Sequence, residues 1–284
     1  MQWGCDRSRL PPAADSTAPW NCTAHRRRRH DVAHMSLLRI ENLDVRHGQL
    51  KAVRGISFEV REGETLALIG ANGAGKTTLL RAIAGAHRPA GGRVLLEGVD
   101  VTAVPAYRRV GLGIALVPEG RRLFAEMTVE ENLLVARAHS RPGPWNVERV
   151  LDAFPMLRPR FKAKAGSLSG GEQQATAIGR ALVTNPRVLL LDEVSLGLAP
   201  IAVDRVYQCL EKLIAGGATV VLVEQDLGRA MRVATRVACM LEGRVVLEGA
   251  AAEMTREQIT AAYFGLNRSA ESRAEGENAQ RQPA

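Results

Sequence analysis

Short aliphatic runs alternate along this chain with longer stretches in which apolar residues recur every three or four positions. The first pattern suits strands buried on both faces, and the second suits helices with one apolar stripe. Strands are predicted at residues 37–45, 56–60, 65–69, 94–96, 114–117, 188–191, 219–223, 237–241 and 245–247. Helices are predicted at 76–84, 129–138, 147–154, 171–183, 201–214 and 228–233. Strand–helix alternation implies an α/β fold with a parallel sheet covered on both faces. From about 119 to 165 the rhythm breaks into a helix-rich stretch with Pro142, Pro144, Pro155 and Pro159, which reads as a helical insert.

The patterned region runs from 35 to 266. Residues 1–34 contain Pro11-Pro12, Trp3, Trp20 and the run Arg26–Arg29, without the apolar stretch of a secretory signal. They are expected to be a disordered extension, with a basic membrane-touching arm as the alternative. The polar residues 267–284 are expected to be a disordered tail.

Composition narrows the picture. At 284 residues and 46% hydrophobic, the chain can bury a core without disulfides or metal. Apolar runs such as 218–223 fall far short of the roughly 18 residues of a membrane span, so any service to a membrane would go through a partner. The net charge of +8 invites a nucleic-acid reading, but residues 1–34 carry six Arg against three Asp, and the rest of the excess is dispersed. With no basic-aromatic binding motif, nucleic acid is not an expected partner. Cys5, Cys22, Cys209 and Cys239 have no metal-ligand spacing. Asn21-Cys22-Thr23 is a glycosylation sequon only if the chain is secreted.

Candidate chemistry begins with Gly70-Ala71-Asn72-Gly73-Ala74-Gly75-Lys76-Thr77, a G-x-x-x-x-G-K-[ST] loop between a predicted strand and helix. Its glycines let backbone N–H groups, through Thr78, turn toward phosphate oxygens, and the helix adds its positive end. Lys76 would reach the outer phosphates and Thr77 would ligate Mg²⁺. A second signal is the apolar strand that ends in Asp192-Glu193, delivering two carboxylates to the sheet edge where ligands bind. Asp192 suits Mg²⁺, and Glu193 suits a general base for water. Between them lies Leu168-Ser169-Gly170-Gly171-Glu172-Gln173-Gln174, an S-x-x-E capping box that leaves Gly170 and Gly171 with open backbone donors.

This motif resembles the signature sequence of ABC ATPases, and its place between the phosphate loop and the acidic strand matches that family. The resemblance implies a P-loop NTPase domain with a mixed sheet core, an antiparallel β subdomain and a helical insert. It implies ATP and Mg²⁺ as cofactors, and a head-to-tail pair in which Ser169, Gly170 and Gly171 meet the nucleotide of the other subunit. Four positions depart from the family pattern. His47 stands for the adenine-stacking aromatic, Glu119 for the metal-facing glutamine, Val194 for the proline after the catalytic glutamate, and Gln225 for the switch histidine. Gln cannot carry a proton near neutral pH, so the site on this chain's own loop is expected to be the slower of two.

The stretches "VPEGRRLF", "MTVEENL", "LSGGEQQ", "DEVSLGLAP" and "LVEQD" resemble the F-type ATP-binding subunits of branched-chain amino acid transporters, over about residues 37–266. That implies a different, G-type ATPase partner, two permease subunits and, indirectly, a periplasmic binding protein. The chain would then sit peripherally on the cytoplasmic face of a bacterial inner membrane. Importers of urea, amides or other small solutes are the alternative, and a soluble ABC ATPase acting on nucleic acid or ribosomes is a further one.

Overall fold

The computed structural model describes residues 36–265; the extension at 1–34 and the tail at 267–284 expected from the sequence lie outside the described residues. The strands and α-helices run in the order β1 (Leu38–His47), β2 (Leu50–Val60), β3 (Thr65–Ile69), α1 (Lys76–Ile83), β4 (Gly91–Leu96), β5 (Val99–Asp100), α2 (Ala106–Leu112) and β6 (Ile114–Val117). Then come α3 (Val129–Val135), α4 (Val147–Ala153), α5 (Gly170–Leu182), β7 (Val188–Asp192), α6 (Pro200–Ala215), β8 (Thr219–Glu224), α7 (Leu227–Val233), β9 (Arg236–Leu241), β10 (Arg244–Ala250) and α8 (Arg256–Phe264).

Among the described residues there are two sheets. One has six strands in the order β10-β9-β3-β8-β7-β6, and the other has four in the order β2-β1-β4-β5. In the larger sheet β9, β3, β8, β7 and β6 are parallel and only β10 is antiparallel. The smaller sheet is antiparallel throughout.

Alternate residues of the central strands enter different cores, as the period of two requires. In β7, Val188 and Leu190 join the core shared with α1 and the antiparallel sheet, while Leu189 and Leu191 join the core under α5 and α6. In β3, Leu66 and Leu68 face that first core, and Ala67 and Ile69 face the packing of α7 and α8. This double burial is why these strands read as unbroken apolar runs.

Two helices escaped the periodicity reading. α2 buries only Arg109, whose guanidinium donates to the carbonyls of Val104 (2.8 Å), Ala82 (2.9 Å), Ile83 (2.6 Å) and Thr102 (2.7 Å). A polar anchor leaves no apolar stripe to detect. α8 buries Ile259 and Ala262 alone, although the Thr255–Gln258 capping box marks its start. β2 also starts at Leu50, six residues before its predicted start, because Lys51, Arg54 and Gly55 interrupt the apolar run. In the region 119–165, α3 stops at Val135 and a 3₁₀ turn, Ala136–His139, takes the place of the predicted last helical turn.

Candidate functional site

The phosphate loop joins β3 to α1. Gly75 precedes the helix at φ 98°, a left-handed conformation in which a Cβ would also lie 2.3 Å from the Ala52 carbonyl oxygen. A Cβ at Gly70 would meet the Met240 carbonyl oxygen at 2.2 Å. Both positions therefore exclude a side chain, and the loop packs against β9 at one end and β2 at the other. Ala74 is buried beneath it.

Lys76 is 4% exposed; its ammonium donates to the carbonyls of Gly70 (2.7 Å) and Ala71 (3.0 Å) and lies 3.9 Å from Glu193 Oε1. Burial pushes its pKa below the usual lysine range, opposed by the Glu193 and Asp192 charges. Thr77 donates its hydroxyl to Asp192 Oδ1 at 2.8 Å. Asp192 ends β7 fully buried, and its second oxygen, Oδ2, has no hydrogen-bond partner among the described residues. Burial raises its pKa, partly offset by the Thr77 hydrogen bond. A buried carboxylate oxygen left open beside a threonine hydroxyl fits a hard divalent cation such as Mg²⁺.

Glu193 follows at φ 48°, a left-handed backbone that costs a non-glycine residue on the order of 1 kcal/mol. Its amide donates to the Val223 carbonyl at 3.1 Å, so the β7–β8 pairing fixes this turn. Gln225 donates from Nε2 to Glu193 Oε2 at 2.7 Å. Val194, in place of the family proline, is buried in the core.

Gly75, Lys76, Thr77, Glu193 and Gln225 line one cavity of about 490 Å³, together with Asn72, Gly73, Thr78, Glu119 and His47. His47 accepts or donates at 3.1 Å to the Thr78 hydroxyl and stacks edge-on against His87. Leu196, from the family-like stretch "DEVSLGLAP", completes the lining with Leu50 and Ala52, which sequence reasoning did not single out. Of the residues predicted for this cavity, Gly70, Ala71 and Ala74 belong to the loop without lining it, and Asp192 lies buried behind Thr77.

Ser169, Gly170 and Gly171 are elsewhere. They line a second cavity of about 340 Å³, with Leu198, Ala202 and Arg205. Ser169 caps α5, accepting from the Glu172 amide at 3.4 Å while Glu172 Oε2 accepts from the Ser169 amide at 2.8 Å. The loop between β7 and α6 stands between the two cavities, Leu196 lining one and Gly197 and Leu198 the other.

Comparison with known proteins decides the family. Residues 53–195 match the ABC transporter family. The chain is 41% identical to the high-affinity branched-chain amino acid transport ATP-binding protein BraG of Pseudomonas aeruginosa, over 81% of this chain and 100% of that protein. It belongs to the ABC transporter family. The probable branched-chain amino acid transport ATP-binding protein LivF of Archaeoglobus fulgidus is 36% identical over 78% of this chain and 95% of that protein. The Nod factor export ATP-binding protein I of Rhizobium meliloti is 36% identical over 72% and 61%. A solved dimeric ATP-binding cassette, bound to ADP and Pi in a post-hydrolysis state, superposes with TM-score 0.67 at 26% identity, covering 75% of this chain and 98% of that one.

This ABC ATPase is thus a P-loop NTPase that hydrolyses ATP in transport, with an α/β cassette fold. Among the described residues no helix is long and apolar enough to cross a membrane. Two further residues near the site, Glu224 and Tyr207, escaped functional assignment from sequence, while Ser195 lies in the family-like stretch "DEVSLGLAP". Glu224, the buried last residue of β8, accepts from the Ser195 hydroxyl (3.0 Å), the Gln225 amide (3.3 Å) and the Tyr207 hydroxyl. An acidic residue closing an apolar strand was the available signal for Glu224. Tyr207 carried none.

Proposed function

We propose that this chain is the ATP-hydrolysing subunit of an importer for branched-chain amino acids. It would pair with a second, different ATPase subunit beneath two permease chains on the cytoplasmic face of a bacterial inner membrane, with a periplasmic binding protein delivering the solute. The observation that carries this reading is the match to BraG along that protein's whole length, at higher identity than the partial match to a Nod factor export protein.

The roles of the site residues follow from their chemistry. Lys76 and the backbone of residues 73–78 hold the phosphates, with the start of α1 adding positive potential. Thr77 and Asp192 would hold Mg²⁺, Glu119 facing it from the cavity wall; the cation would neutralise charge on the phosphates. Glu193 orients the attacking water and takes its proton, and Gln225 fixes the carboxylate in position. His47 stacks on the adenine. Ser169, Gly170 and Gly171 cannot reach the nucleotide of their own chain's cavity, and they act on the nucleotide of the paired subunit.

The test is ATP hydrolysis by the complete transporter in liposomes, with its binding protein supplied empty or loaded. Stimulation by leucine, isoleucine or valine, with none by urea or amides, is the expected result. Stimulation by urea or an amide alone would replace the solute reading while leaving the ATPase in place. Hydrolysis coupled to nucleic acid instead of permease would overturn the reading altogether.

A further inference from the structure

We infer that Glu224 is a positioning residue for hydrolysis, tying the loop that starts at Ser195 to Gln225 and so aligning Glu193. The inference rests on Glu193 being the water-activating base. The Glu224 carboxylate takes three donors: the Tyr207 hydroxyl on Oε1, and the Ser195 hydroxyl (3.0 Å) and the Gln225 amide (3.3 Å) on Oε2. Glu224 is 2% exposed, and among the described residues it makes no salt bridge. A buried carboxylate with no cation in contact costs desolvation that a neutral residue of the same shape would not. What the carboxylate supplies that a neutral residue cannot is acceptors on both oxygens at once.

Those acceptors close a ring. Glu193 leads along the chain to Ser195, Ser195 bonds to Glu224, Glu224 is followed by Gln225, and Gln225 bonds back to Glu193 at 2.7 Å. Tyr207 anchors the ring to α6. The same loop carries Leu196 into the phosphate-loop cavity and Leu198 into the signature cavity. A displacement of the loop from the signature side therefore passes through Ser195 and Glu224 to the base.

The test uses the full chain assembled in its transporter, with the partner ATPase's own nucleotide site disabled by substitution so that turnover reports this chain's site. Glu224→Gln is expected to lower kcat about tenfold or more, because small misplacements of a reacting group cost that much. KM and the nucleotide Kd should stay within about twofold, the pattern of an interaction made only in the transition state. Tyr207→Phe and Ser195→Ala, each removing one hydroxyl, should lower kcat roughly threefold and carry the test if Glu224→Gln fails to fold. None should lower the residual rate further in a Glu193→Gln background. Unchanged kcat in Tyr207→Phe and Ser195→Ala, or a loss expressed wholly in KM, would overturn the inference while leaving Glu193 as base. Normal turnover in Glu193→Gln, or none in the unsubstituted chain, would overturn the assignment of the base and this inference with it.

Discussion

The two cavities differ in kind. The phosphate-loop cavity gathers an ammonium, two carboxylates, two hydroxyls and a glycine-rich loop turning into a helix start. The signature cavity offers the capped start of α5 and Arg205, with Glu172 already engaged by Ser169 and Arg160. The first can bind and attack a nucleotide. The second can only add donors to an anion brought to it. On the proposed reading, a chain that carries both on separate surfaces divides each catalytic centre between two subunits; a dimeric cassette with ADP and Pi is among the solved structures it resembles.

The largest effect should come from Glu193→Gln, which removes the proposed base and leaves the cradle. Turnover at this chain's site should fall by about 10²–10³ with ATP affinity preserved, as measured by phosphate release and equilibrium nucleotide binding. Loss of binding instead would blur the division between cradle and base. Asp192→Asn should come next. The Mg²⁺ concentration giving half-maximal turnover should rise about tenfold or more, because one ionised oxygen for the metal is lost.

Ser169→Ala probes the other cavity. It removes the cap of α5, at about 1 kcal/mol of stability, so thermal melting should drop by a few degrees. ATP binding by the single chain should be unchanged, while ATP-dependent pairing weakens in analytical ultracentrifugation. The smallest effect is expected from Gln225→His, which gives the site a group able to carry a proton near neutral pH. Turnover at this chain's site should rise roughly threefold, sharpening the contrast with the partner's.

Much of this was legible in the sequence because the residues concerned sit where short-range pattern and chemistry coincide. Gly70 and Gly75 announce two loop positions that no side chain could share, and the run 188–192 announces a strand buried on both faces. What pattern could not reach depends on contacts far apart in the chain. Arg109 anchors α2 through carbonyls some 26 residues away, and Ser195, Tyr207 and Glu224 meet only once β8 lies beside β7. The orphaned Oδ2 of Asp192 is likewise a property of packing, not of sequence. That Ser169 and Lys76 face different cavities follows from the positions of α1 and α5 on the two sides of the larger sheet.

Nucleotide trapping with vanadate in the assembled transporter tests the divided site most directly, with a photoreactive ATP analogue reporting which chain retains the label. With Ser169→Arg, label on the partner ATPase should disappear while this chain, tested alone, binds ATP as before. Loss of label from this chain with normal trapping on the partner would contradict the account, because the signature residues would then be serving their own phosphate loop.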